Sequence, residues 1–216
     1  AWWGGCLSQT PGRDRVQSES DPIAWHRKPP RLHGPDASWE RSRRDRRYES
    51  AQTAIASDGP SPNPAPRAPT THLCVQWLAS SMPADSDILD YGCGSGILAI
   101  AARKLGARRV VGVDIDEQAV TSTRDNAAIN QVDIEAFLPD DLPGGQFAVV
   151  VANILSNPLK VLAPMLAGRV RAGGHLVLSG VLARQAQEVA LAYAPWISMA
   201  VWAERDGWVC LAGQKS

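Results

Sequence analysis

A run of alternating glycines, Gly92-Cys93-Gly94-Ser95-Gly96, is followed 18 residues after its last member by Asp114, and further on by an asparagine, Asn153, in the segment Ala152-Asn153-Ile154-Leu155. Glycine has no Cβ, so a ligand can lie against the backbone, and a helix starting behind the loop offers first-turn N–H groups without intrahelical partners. The spacing separates two ligand classes. A dinucleotide fingerprint reads G-x-G-x-x-G, whereas the third glycine here falls one residue early, at Gly96, and Ile97 stands where that pattern requires glycine. This favours S-adenosylmethionine over NAD, with Gly92 and Gly94 as contacts.

Asp114 falls at the end of a strand, where a carboxylate accepts hydrogen bonds from both ribose hydroxyls of an adenosine. Asp116 is the rival two residues on, with a competing role as N-cap of the helix that follows. Asn153 carries a side-chain carbonyl that can accept a hydrogen bond from an amine approaching a methyl donor, without a negative charge to hold that amine protonated. A lysine of pKa about 10.4 is some 3.4 units from neutrality at pH 7, which costs about 4.6 kcal/mol. The competing role for Asn153 is a cap or turn before the helix near Pro158, which Asn157 fits better.

Positioning these residues requires strands that end at the loops carrying them. From residue 70 the pattern alternates short β runs with amphipathic helices: helix 70–80, strand 87–90, helix 97–105, strand 110–114, helix 117–130, strand 134–138, strand 147–152, helix 158–167, strand 175–179 and helix 183–194. Strands 196–203 and 208–212 follow, joined by a turn containing Gly207. The alternation predicts an α/β fold, a mostly parallel sheet with helices on both faces and a terminal antiparallel hairpin. Trp77, Trp196, Trp202 and Trp208 are expected in the core or on a sheet face, and His26, His33, His72 and His175 as structural or solvated.

The 216 residues carry no net charge, but the balance hides a break near residue 69. Residues 1–69 hold 10 of the 16 prolines and only five residues of the Ile/Leu/Val/Met set, too few for a core. Residues 70–216 hold 43 such side chains, enough for one domain. Basic residues outnumber acidic ones by 11 to 8 before the break and fall short by 11 to 14 after it. The run from Arg41 to Arg47 could contact phosphates, but Pro60, Pro62, Pro64 and Pro66 point to a solvated, disordered segment, and direct nucleic-acid binding is not expected. Cys6, Cys74, Cys93 and Cys210 lie too far apart for a metal or redox pair, so neither metal nor disulfide is expected. Without a membrane-length apolar run or a secretory leader, the chain reads as cytoplasmic.

Together, Pro69-Thr70-Thr71, Leu73-Cys74, Gln76-Trp77-Leu78, the stretch from Asp90 to Ala102, Gly112-Val113-Asp114-Ile115-Asp116 and Ala152-Asn153-Ile154-Leu155 resemble the PrmA family, whose members methylate ribosomal protein L11. The resemblance runs from about residue 69 to the C-terminus. The Asn-Ile-Leu segment sets it apart from methyltransferases that carry Asn-Pro-Pro-Tyr. It implies a Rossmann-like class I methyltransferase fold with a seven-stranded sheet and S-adenosylmethionine as donor. By this resemblance Thr71, Gly92, Asp114 and Asn153 fall at donor contacts. It implies lysine ε-amines and an N-terminal α-amine of L11, in the large ribosomal subunit, as acceptors. Family members place Phe-Gly-Thr-Gly-x-His ahead of Pro-Thr-Thr, and before it a small domain that grips the ribosomal protein, whereas this chain reads Pro64-Ala65-Pro66-Arg67-Ala68. Residues 1–69 are therefore expected to be disordered or non-native, the product of a shifted reading frame or mistaken start, and substrate recognition to be impaired. The alternatives are methylation of a small molecule or nucleic acid, and a non-catalytic RNA-binding protein on the same scaffold.

Overall fold

The computed structural model of the chain describes residues 68–216. Apart from Ala68 and Pro69, the expected disordered or non-native segment 1–69, with its arginine run, lies outside the described residues. The elements are α1 (Pro69–Ser81), β1 (Asp87–Tyr91), α2 (Ile97–Lys104), β2 (Arg109–Val113), α3 (Glu117–Ile129), β3 (Glu135–Phe137), β4 (Phe147–Asn153), α4 (Ser156–Val161), α5 (Ala163–Arg169), β5 (Val170–Leu182), α6 (Ala186–Tyr193), β6 (Ala200–Arg205) and β7 (Trp208–Gln214). Seven strands form one sheet in the order β3-β2-β1-β4-β5-β7-β6. Pairings among β1 to β5 are parallel, and β7 runs antiparallel to both of its neighbours. Strand order therefore reverses between β1 and β4, which opens a crevice beyond their carboxyl ends, where the glycine loop and Asn153 lie.

Strand alternation divides the core into two layers. Val149, Val151, Ile88 and Val177 face a cluster that includes Leu73, Trp77 and Leu98 of α1 and α2. Val150, Ala152, Leu89 and Leu178 face the other, with Leu159, Leu166, Val189 and Tyr193 of α4 to α6. A central strand so buried on both faces reads as the uninterrupted run Ala148-Val149-Val150-Val151-Ala152. Trp77 packs in the core and meets the ring of His175 edge-on at 5.6 Å. Trp202 lies partly buried on the same layer, while Trp196 is half exposed.

The structure differs from the sequence reading in four elements. The strand expected over 196–203 is the shorter β6, Ala200–Arg205, because residues 194–196 form a turn. The single helix expected over 158–167 is two, α4 and α5, broken at Leu162 because Pro164 has no N–H to give the preceding turn. Strand β5 is 13 residues long, not five, since its flanks pair along β7 and with Phe147. The expected 183–194 helix opens with a 3₁₀ turn, Ala183–Gln185, before α6.

Candidate active site

The glycine loop is shaped by its neighbours. Gly92, Gly94 and Gly96 have φ of +79°, +57° and +80°, a region that residues with a Cβ rarely adopt. The N–H groups of Gly92 and Cys93 donate to the carbonyl of Val113 at 2.7 and 3.0 Å, tying the loop to the end of β2. Helix α3 holds it from the other side: Thr123 Oγ1 donates to the Gly94 carbonyl at 3.0 Å and Asn126 Nδ2 to the Ser95 carbonyl at 2.9 Å. The three glycines have different reasons to be glycine. A Cβ on Gly92 would stand 2.3 Å from Ile154 Cγ2, and one on Gly96 would stand 2.9 Å from Thr123 Cγ2. A Cβ on Gly94 would meet nothing within 4 Å, so this position opens onto free space that a ligand can enter.

Asp114 faces that loop. Its Oδ2 accepts from the Gly94 N–H at 2.9 Å and its Oδ1 from the Asp116 N–H at 3.1 Å. Each carboxylate oxygen can accept a second bond, so both remain available to hydroxyl donors. Asp116 has the other role: it is the N-cap of α3, accepting from the Gln118 N–H at 2.9 Å. Between them Ile115 is 82% exposed, an apolar side chain on the rim of the crevice.

Asn153 ends β4 beside Ser179 of β5. Its Nδ2 donates to Thr71 Oγ1 at 3.2 Å, joining the first turn of α1 to the end of the fourth strand. Helix α4 starts at Ser156 behind Leu155 without a side-chain cap, so neither Asn153 nor Asn157 caps it. The following Ile154 is wedged between two glycines, since a Cβ on Gly180 would stand 2.1 Å from the Ile154 carbonyl oxygen. Gly180 has φ +80° and sits where the β5–β7 register shifts. Its only sequence signal is a glycine inside an apolar strand. Next to Thr71 in α1, His72 Nε2 lies 2.7 Å from Arg205 Nη1 of the edge strand β6, and its pKa is lowered by burial and then by the Arg205 charge.

Beneath the loop lies Asp90, 1% exposed. Its Oδ2 accepts from the Ala99 N–H at 3.0 Å and its Oδ1 has no partner. Burial pushes the carboxyl up to about 7, against the Ala99 N–H and helped by the charge of Asp114. Burial likewise pushes the Cys93 thiol up to about 12, which makes it a packing residue and not a nucleophile. Among the described residues no group of three or more His, Cys, Asp or Glu is placed to hold a metal ion, and no helix is long and apolar enough to cross a membrane.

The strand order, the glycine loop at the point of reversal and the acidic end of β2 define a class I methyltransferase scaffold. A family model for ribosomal protein L11 methyltransferase (PrmA) matches residues 67–216. The ribosomal protein L11 methyltransferase of Bordetella parapertussis is 57% identical over 228 aligned residues, covering 99% of this chain and 71% of that protein. That of Paraburkholderia phymatum is 58% identical over 147 residues, 68% of this chain and 49% of its own length. The crystal structure of a ribosomal protein L11 methylase from Lactobacillus delbrueckii subsp. bulgaricus superposes with a TM-score of 0.64 at 34% identity, covering 68% of this chain and 79% of that one. A T. thermophilus 16S rRNA methyltransferase solved with AdoMet and guanosine shares the fold at 20% identity, with a TM-score of 0.60 over 70% of this chain and 44% of its own. The chain belongs to the ribosomal protein L11 methyltransferase (PrmA) family.

Proposed function

We propose that the chain transfers methyl groups from S-adenosylmethionine to lysine ε-amines and the N-terminal α-amine of ribosomal protein L11, in the cytoplasm. The observation that carries this reading is the Asn153–Thr71 hydrogen bond, within a family whose named relatives are L11 methyltransferases. With Nδ2 engaged on Thr71, the Asn153 Oδ1 is the acceptor left for an incoming amine.

The residues at the loop fit the donor. Gly94 leaves a space that a Cβ would enter, and Asp114 keeps lone pairs for the ribose hydroxyls. When bound, S-adenosylmethionine supplies a methyl group on a positively charged sulfonium. The chain holds it with Asp114 and the glycine backbone, while Asn153 Oδ1 orients the neutral amine so that its lone pair points at the methyl carbon. With the donor bound, the amine nitrogen would form the new N–C bond as the C–S bond breaks and S-adenosylhomocysteine leaves, and the product ammonium would lose its proton to solvent before a further transfer. Orientation is the contribution demanded of Asn153, because the amine must arrive neutral and aligned.

Incubating the purified chain with methyl-labelled S-adenosylmethionine and ribosomal protein L11 should label L11 on lysines and on its N-terminus. Methyl transfer to another acceptor with none to L11 would overturn the acceptor assignment, whereas donor binding with no transfer at all would point to the impaired substrate recognition expected from residues 1–69.

A further inference from the structure

At the opposite end of the sheet, beside the amino ends of β2 and β3, a cavity of about 550 Å³ opens between α2 and α3. Four arginines line it, Arg103, Arg108, Arg109 and Arg124, against two carboxylates, Asp133 and Glu135. Two of the four are neutralised: Arg109 is held bidentate by Glu135, at 2.7 and 3.0 Å, and Arg108 by Asp87, at 3.0 and 2.7 Å. Among the described residues the other two bond only to main-chain carbonyls. Arg103 Nη1 donates to the carbonyls of Ala107 and Arg108, at 2.5 and 2.6 Å, and Arg124 Nη2 to that of Ala136 at 2.5 Å. The Arg103 Nε–H is buried with no acceptor.

We infer that this cavity binds a phosphorylated organic molecule of nucleotide size, as a free nucleotide or as part of an RNA strand. Two guanidinium groups without carboxylate partners favour an anion, and their planar forks match the geometry of phosphate oxygens. The rest of the lining is apolar, with Val110, Ala127 and Ala128 among it, which suits the body of such a ligand better than a bare ion. The volume lies within the range of small-molecule sites, about 300–1,000 Å³. The site is separate from the crevice at Gly94 and Asn153, because it lies where β2 begins, at Arg109, whereas the crevice lies beyond Val113, where β2 ends.

The test is calorimetric titration of the intact chain with guanosine 5′-monophosphate, with inorganic phosphate and with a short single-stranded RNA, each with and without saturating S-adenosylhomocysteine. Saturable binding of the nucleotide or the RNA, unaffected by S-adenosylhomocysteine, is expected, and which of the two binds identifies the source. Arg124→Gln should weaken that binding at least about tenfold. Ala128→Glu, which brings a carboxylate to the cavity from an exposed helix position, should do the same while leaving S-adenosylhomocysteine affinity unchanged. No saturable binding, binding abolished by S-adenosylhomocysteine, binding equal in both variants and the parent, or phosphate binding as tightly as the nucleotide would each overturn the inference.

Discussion

Thr71 and Asn153, 82 positions apart in the chain, are joined by a 3.2 Å hydrogen bond from the asparagine Nδ2 to the threonine hydroxyl. The bond engages the Nδ2 end of the amide, leaving Oδ1 as its acceptor. Thr71→Val keeps the side-chain shape and removes the acceptor, so the amide loses its anchor, and on the proposed role its carbonyl would no longer be held toward the amine. Transfer to L11 should slow by about tenfold, the scale of one net hydrogen bond of about 1 kcal/mol or slightly more. The melting temperature should change little. An unchanged turnover number would show that the bond does not orient the amide during transfer.

Asp114 and Asp116 are distinguishable by what each substitution should damage. Asp114→Ala removes the acceptor proposed for the ribose hydroxyls and should weaken S-adenosylmethionine by about tenfold to a thousandfold. It also frees the Gly94 N–H, so part of the loss is loop order. Asp116→Ala removes the cap of α3 and should lower unfolding stability by about 1 kcal/mol with donor affinity nearly unchanged. Calorimetry with S-adenosylhomocysteine and urea unfolding on both variants check the assignment; interchanged phenotypes would reverse it.

These two aspartates show how much of the site was legible beforehand. The glycine spacing and the strand-ending Asp114 are local signals, because the turn that they need is made by consecutive residues. The N-cap role of Asp116 is local too, since the bond closes on Gln118. Gly180 and the Thr71–Asn153 bond were not readable from spacing, because their reason lies across the sheet: a carbonyl of the neighbouring loop in one case and the first turn of α1 in the other. The same holds for the length of β5, which is decided by its pairing with β7. The break between α4 and α5 is the exception, as Pro164 was in plain view inside an apolar run.

Gly180→Ala should cost more activity than stability. Its Cβ would lie 2.1 Å from the Ile154 carbonyl oxygen, main-chain that can yield only by moving the segment that carries Asn153. Gly207→Ala, at φ +77° with open space around the added carbon, is the control for backbone strain, at about 1–3 kcal/mol. If both variants melt similarly lower but only Gly180→Ala loses methyl transfer by tenfold or more, the glycine serves the position of the Asn153 loop. Equal activity in the two variants would remove that role.

Asp90 predicts a pH dependence of stability. Its folded pKa of about 7 lies above the value near 3.8 of an unfolded aspartate, so the native state retains a proton that the unfolded state has released. Bound protons then favour the native state at low pH, and stability should fall as pH rises from about 4 to about 7, by up to about 1.4 kcal/mol per unit. Asp90→Asn can still accept from the Ala99 N–H and has no charge to bury, so its profile should be flatter across that window. Urea unfolding at pH 5 and pH 7.5 on both proteins measures this, and parallel profiles would show that Asp90 ionises at its ordinary pKa.

Asn153→Asp isolates charge from shape. The carboxylate occupies the volume of the amide, and the Thr71 hydroxyl can donate to it in place of accepting, so the local geometry has a route to survive. What changes is the acceptor amine. A negative charge beside it stabilises the ammonium form and raises the amine pKa, and each unit of that rise lowers the neutral fraction tenfold at neutral pH. This adds to a deprotonation cost already about 4.6 kcal/mol for a lysine at pH 7. Transfer to L11 by Asn153→Asp should therefore be at least about tenfold slower than the parent at pH 7. The gap should narrow toward pH 10, where solvent holds much of the lysine neutral. Asn153→Ala, lacking both the charge and the orienting carbonyl, should be slow at both pH values. A rate for Asn153→Asp equal to the parent at pH 7 would rule out the amine-orienting role and leave the Thr71–Asn153 bond a structural tie between α1 and β4.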